Sequence, residues 1–182
     1  MTDQVTIYDL ELTAPEPLGS PRIATADADL RQVEIPCPSF NRFLYLTVGH
    51  AWHWWMKRGW SDQQWRDYVC RPELETWVLY QCGTPAGYFE LERLPEETVR
   101  IKYFGLLPDF IGKKLGGRLL AQAVERAWAL GAARIRVNTC TRDHPAALTN
   151  YLARGFRLVG ERRETAPARP AGESPPLQER GP

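Results

Sequence analysis

Three β-rich runs follow one another between Thr76 and Leu107: TWVLYQ, GYFELERL and TVRIKYFGLL. Only short turn-forming stretches, CGTPAG and the segment near Pro95, separate them. Parallel neighbours need a crossover of about a dozen residues or more, so these runs read as an antiparallel meander. In GYFELER the period of two puts Tyr88, Glu90 and Glu92 on one face of their strand. Two settings fit that face: a carboxylate pair directed at a cleft, or a solvated surface.

After Pro108 the chain enters IGKKLGGRLL, three glycines and two lysines ahead of a helical pattern. Leu115, Leu119, Leu120, Ala123, Val124, Ala127 and Trp128 make one apolar stripe, and Gly131 supplies the stop. RIRVNT reads as a strand, HPAALTNYLARG as a helix with Pro145 in its first turn, and FRLVGERRET as a final strand. Upstream, Val5 to Leu12 suggests a strand that Pro15, Pro17, Gly19 and Pro21 end, and LRQVEIP a second extended run. A helix is predicted from a Ser39 cap to Gly59, carrying Phe43, Leu44, Leu46, Val48, Trp52, Trp55 and Met56. A shorter one follows, with Ser61 as cap and Gln64 at the capping-box position.

A length of 182 residues suits one domain, placed at 1–165, with the proline-rich remainder, 166–182, expected to be disordered. Lys and Arg total 23 against 22 for Asp and Glu, which leaves no basic excess for nucleic acid or an anionic membrane. MTDQVTIYDL has no basic n-region and no apolar core, so a soluble, cytoplasmic protein is expected. Cys37, Cys70, Cys82 and Cys140 are scattered and read as reduced structural thiols. His50 and His53 lack further ligands at zinc spacing, so no metal is expected.

A glycine turn ahead of a helix offers unpaired N–H groups at the positive end of the helix dipole, a setting for phosphate. Gly112 and Gly117 have P-loop spacing, but Arg118 and Leu119 stand where that motif needs Lys and Ser or Thr. G-x-G-x-x-G fails at Lys114, and no βαβ series surrounds it.

The order of meander, YFGLLPDFIGKKLGGRLL, RIRVNT and HPAALTNYLARGF resembles the GNAT superfamily of acyl-CoA-dependent N-acyltransferases, over about Thr76 to Phe156. The resemblance implies an α+β, three-layer fold: a mixed, mainly antiparallel twisted sheet with helices on both faces and one splayed strand. It also implies acetyl-CoA as acyl-donor co-substrate. In the family motif, Q/R-x-x-G-x-G/A, Ile111 takes the first place, Lys114 the first glycine and Gly116 the second. The cradle would comprise Gly112, Lys113, Lys114, Leu115, Gly116 and Gly117. Gly105, Leu106 and Leu107 of the splayed strand would pair with the pantetheine arm, and a backbone N–H near Leu106 would meet the oxyanion. His144 stands where the family has a cofactor-bonding asparagine, and in DHP a helix cap is an equal reading.

Tyr151 matches the tyrosine of the family's Y-x-x-x-G-F ending, whose hydroxyl protonates the departing sulfur; packing is its structural alternative. Some relatives carry a catalytic glutamate where Arg100 stands, which leaves Glu90 as the base, directly or through water. Five of seven tryptophans lie between Trp52 and Trp65 on the implied acceptor-side helices. Trp52, Trp54 and Trp55, with Tyr103, either line an acceptor pocket or form a satellite core. An aromatic pocket favours a small aromatic or amino-acid-like primary amine. The family closes with two strands after G-F, and only one is visible here; the second is absent, short, or supplied by a partner, as in a homodimer that completes the sheet. Two functions stay open: an acetyltransferase, and a non-catalytic module that senses acyl-CoA or a metabolite.

Overall fold

The computed structural model describes residues 2–13 and 28–167. In chain order these form β1 (Thr2–Leu12), β2 (Ala28–Gln32), α1 (Pro38–Gly49), α2 (Asp62–Val69), β3 (Leu74–Gln81), β4 (Thr84–Leu94) and β5 (Thr98–Leu106). A 3-10 turn at Pro108–Phe110, α3 (Leu115–Ala129), β6 (Arg134–Cys140), α4 (Ala147–Leu152) and β7 (Arg157–Pro167) complete them. One sheet runs in the order β2-β3-β4-β5-β6-β1-β7. Every neighbouring pair is antiparallel except β5 and β6.

Alternation along the strands builds the layers. Phe89 and Leu91 of β4, with Leu10 and Leu12 of β1, turn to one face and pack under the apolar stripe of α3 and under Tyr151 of α4. Val78 and Tyr88 turn to the other face and meet Leu44 and Val48 of α1. Tyr45 with Trp65 and Val69 of α2 forms a third cluster on that side. The expected sheet with helices on both faces is therefore present.

The predicted helix from Ser39 to Gly59 is corrected: α1 ends at Gly49 and the chain folds back in turns. Trp52 and Trp54 both donate their amides to the Gly49 carbonyl. A Cβ on Gly49 would stand 2.4 Å from the Trp54 Cβ, so only glycine admits this reversal. Cys37 rather than Ser39 occupies the cap, with Pro38 in the first turn. The capping box of α2 is as predicted: Ser61 Oγ accepts from the Gln64 amide, and the Gln64 side chain accepts from the Ser61 amide.

The second closing strand comes from the N-terminal end of the described chain. β1 lies between β6 and β7 and pairs antiparallel with both. The sheet therefore has no vacancy there for a partner to fill, which removes the reason given for a homodimer. β7 runs to Pro167, so Ala166 and Pro167 belong to a strand rather than to a tail. Residues 168–182, and the prolines between 15 and 21, lie outside the described residues.

The parallel pair opens the site. β5 and β6 are in register only from Thr98↔Arg134 to Ile101↔Val137. At that point the β4–β5 pairing steps from Leu91↔Ile101 to Glu90↔Tyr103, leaving Lys102 as an extra residue in β5. Such a bulge bends its strand, and beyond it β5 diverges from β6.

Candidate active site

A cavity of about 1010 Å³ fills the fork between the two strands. Tyr103 to Leu106 form one wall and Asn138 to Cys140 the other. Leu107 donates its amide to the Ala86 carbonyl of β4. Peptide groups alternate in direction along a strand, so the N–H and C=O of Leu106 turn away from β4 and toward the fork.

The glycine turn closes one end. Gly112 has φ of 80° and Lys114, at the cap of α3, has φ of 58°. No side chain caps this helix, so the first-turn amides around Gly116 face the cavity at the positive end of the dipole. A Cβ on Gly116 would contact Leu106 Cδ1 at 3.7 Å, and one on Gly117 would stand 2.3 Å from Arg154 Nη2. A guanidinium thus lies against the turn although the motif's own leading Gln or Arg is replaced by Ile111. This turn suits a diphosphate: open amides, a close backbone approach at the glycines and one neighbouring cation. Nothing in the sequence singles out Arg154, because it comes from the end of α4.

Of the predicted cofactor residues, Gly105, Leu106, Gly112, Lys114, Gly116, Gly117 and His144 line the cavity. Leu107, Lys113 and Leu115 do not. Leu107 packs with Leu44 and Val48, and Leu115 belongs to the core under α3. Lys113 is exposed and sets its Nζ 4.8 Å from the centroid of the Phe110 ring.

Tyr151 lines the same cavity, its ring held edge-on by Phe104 and Phe156. Burial, with the charge of Asp143, pushes its hydroxyl well above the usual tyrosine range, so it keeps its proton at neutral pH. His144 combines both readings: its Nδ1 accepts the Ala146 amide at 3.1 Å, and its ring packs against Trp52 on the cavity wall.

Trp52, Trp54, Trp55 and Tyr103 all reach the cavity, from the turns after α1 and from β5. Trp54 packs against Tyr45 and Tyr103, and its side chain also hydrogen-bonds Asp143. Asp143 lies in the loop after β6 and lines the cavity. Its Oδ2 accepts from the Thr139 hydroxyl at 2.8 Å and from the Cys140 amide at 3.0 Å.

Glu90 is placed otherwise than expected. It is 1% exposed and does not line the cavity. Its Oε1 accepts from Asn41 Nδ2 at 2.8 Å and its Oε2 from the Tyr68 hydroxyl at 2.5 Å. Burial raises its pKa, against the lowering effect of those two donors. Tyr88, Glu90 and Glu92 do share a face, but that face is covered by α1 and α2, so it is neither cleft nor solvated surface. A base has to reach the amine, and Glu90 instead ties β4 to both helices. Beside it stands Lys57, 4% exposed, with Nζ boxed by the rings of Tyr45, Trp60, Trp65, Tyr68 and Tyr103. Burial lowers this lysine to about 7, with Glu90 pulling the other way. Sequence reading missed it, because the box assembles from four separate segments.

Among the described residues no group of three His, Cys, Asp or Glu could hold a metal ion, and no helix is long and apolar enough to cross a membrane.

Comparison with known proteins agrees with this geometry. Residues 38–156, more than half of the chain, match the model of the Acetyltransferase (GNAT) family. None of the curated proteins compared with the chain matches it. Among solved structures, a putative acetyltransferase of the GNAT family from Novosphingobium aromaticivorans superposes with a TM-score of 0.62 at 14% identity, over 91% of this chain and 65% of that one. An IAA acetyltransferase from Bacillus cereus gives 0.55 at 24% identity, over 73% and 79%. The ribosomal-protein-S18-alanine N-acetyltransferase of Escherichia coli gives 0.57 at 16%, over 71% and 77%. At these identities the likeness is one of fold. The chain spans less than two thirds of the length of several matched structures, 62% for a protein of unknown function from Staphylococcus epidermidis and 65% for the Novosphingobium protein. The match from α1 through the Gly155-Phe156 ending, on a fold with a splayed parallel pair, places the chain in the GNAT acetyltransferase family.

Proposed function

We propose that the chain is an acyl-CoA-dependent N-acetyltransferase acting on the primary amine of a small aromatic or amino-acid-like acceptor by direct attack. The observation that carries this reading is the fork itself, where one cavity joins the open amides of the glycine turn, the Tyr151 hydroxyl and an aromatic wall. Acetyl-CoA supplies the thioester. Gly116 and Gly117 admit its diphosphate to the first-turn amides of α3, and Arg154 adds a charge-assisted donor at that place. Gly105 and Leu106 offer strand-like pairing for the pantetheine arm, and the Leu106 amide can serve as oxyanion donor. Tyr151, protonated at neutral pH, gives its proton to the departing sulfur. Trp52, Trp54, Trp55 and Tyr103 hold the acceptor by apolar and π contact.

Two measurements test the reading. Calorimetric titration with acetyl-CoA should show micromolar binding that a Gly116→Val, Gly117→Val variant loses. Free thiol should then appear when primary aromatic amines are added. Binding without thiol release on any amine would favour the sensor module, which the departures at Ile111 and Lys114 also suggest. No binding by the folded native chain would end the acyltransferase proposal.

A further inference from the structure

With Glu90 sealed behind α1 and α2, the reaction proposed above still needs a proton acceptor on the cavity wall. The imidazoles and carboxylates on that wall are His53, whose ring packs against Trp55, with His144, Glu164 and Asp143. His144 accepts the Ala146 amide at Nδ1, so in its neutral form the proton sits on Nε2 and the ring presents only a donor to the cavity. Glu164 lines the far rim on β7, where it is more than half exposed and paired with Arg162. Asp143 differs from both. It sits where the aromatic wall meets the Tyr151 side, and the Thr139 hydroxyl, the Cys140 amide and the Trp54 side chain fix its carboxylate. Asp143 and Tyr151 line the same cavity.

We infer that Asp143 is the general base of this site, on the assumption that the chain is an N-acetyltransferase. The amine nitrogen forms its bond to the thioester carbonyl carbon and yields its proton to Asp143. The carbon–sulfur bond breaks, and the sulfur takes the Tyr151 proton. Proton exchange with solvent returns Asp143 to carboxylate and Tyr151 to phenol, so the products are an amide and a thiol. Nitrogen and sulfur attach to the same carbon, so base and acid have to face the same cavity, as Asp143 and Tyr151 do. Burial raises the Asp143 pKa while its hydrogen-bond donors oppose the rise, which moves the carboxylate toward the range useful to a base. The ionisable or charged groups that share its cavity are Arg142 and His144 in its own loop, Cys140 on β6, Tyr151 on α4, His53 in the turns after α1, Lys102 and Tyr103 on β5, Lys114 at the cap of α3, and Arg162 and Glu164 on β7.

The test is Asp143→Asn, whose carbonyl oxygen still accepts from Thr139 and Cys140 and so preserves the turn. Thiol release from acetyl-CoA with phenethylamine and a panel of other primary amines is followed against pH, alongside calorimetric acetyl-CoA titration and thermal melting. The expected result is a fall of about 100-fold or more in kcat/KM, loss of the acidic limb of the pH profile, and unchanged acetyl-CoA affinity and melting temperature. A carboxyl-carbon NMR titration of the native protein, independent of whether the variant folds, should show Asp143 titrating at the midpoint of that limb. Native rates in the variant, a loss matched by acetyl-CoA affinity, or an Asp143 that titrates away from the limb would each overturn the assignment and leave the acetyltransferase reading in place. A native protein that binds acetyl-CoA yet releases thiol with no amine overturns both.

Discussion

Lys57 holds its Nζ 4.8 Å from the centroid of the Tyr103 ring, and the same tyrosine lines the cavity. The ammonium has no hydrogen-bond acceptor among the described residues and rests on ring faces, with Glu90 as an electrostatic neighbour. An unpaired buried cation costs stability, and the lowered pKa expresses that cost. Between about 7 and the ordinary lysine value of 10.5 the unfolded lysine keeps a proton that the folded one has released. The unfolded state then binds more protons, so stability rises with pH across that window and is lowest in this respect below it. Lys57→Met should therefore melt at or above the native temperature at pH 7 and show a flatter rise toward pH 10. Thermal unfolding at several pH values checks this; a variant much less stable at pH 7 would mean that the ring contacts and Glu90 outweigh desolvation.

Tyr151 lies on the cavity with its hydroxyl shifted upward by burial and by Asp143. A group so shifted stays a proton donor through the physiological range, and a rate that depends on it declines only in strong alkali. Tyr151→Phe preserves the ring contacts with Phe104 and Phe156 and removes only the hydroxyl that carries the proton. Thiol release should drop by about 100-fold in kcat with little change in the KM for acetyl-CoA. If kcat is unchanged, the tyrosine is a packing residue.

How much of this was legible in the sequence depended on distance along the chain. The meander, the α3 stripe and the α2 capping box rest on residues within one turn or one strand, and they were read correctly. The end of α1 was misread because the decisive contact is Trp54 folding back on Gly49, which a three-and-four apolar pattern conceals. The Glu90 face was found by period, but period cannot tell which layer covers a face, and α1 with α2 covers this one. Asp143 and Arg154 carry no local signal; strand divergence and the end of α4 bring them to the cavity and to the glycine turn.

On the proposed reading, Arg154 supplies the cationic anion contact that Ile111 lacks. Its guanidinium lies over the backbone of Gly117, and Nη1 is anchored to the Asn150 carbonyl at 3.2 Å. A charge-assisted contact to phosphate at an exposed site contributes about 1–2 kcal/mol, roughly tenfold in affinity. Arg154→Gln should weaken acetyl-CoA by about that factor and reduce the salt dependence of binding, while S-acetylpantetheine, which lacks the diphosphate, binds as before. Calorimetry with both compounds decides. An equal loss for both would show that the arginine shapes the turn rather than holding the anion.

The strand borrowed from the N-terminal side sets a last expectation. Leu10 on β1 is almost fully buried, pairs with Val137 on β6 and Leu158 on β7, and packs in the core under α3. Truncating such a side chain removes transfer energy and leaves a cavity, so Leu10→Ala should cost about 2–5 kcal/mol in chemical denaturation. Deleting residues 1–12 goes further, because β6 and β7 would then face each other across an empty strand position with unpaired backbone on both sides. Open edges of that kind recruit other chains. The deleted protein should associate or aggregate in sedimentation, and a peptide of the β1 sequence supplied in trans should restore a well-dispersed species. A deleted chain that stays monomeric and melts like the native one would mean that β1 is dispensable to the sheet, and the missing closing strand would again need another source.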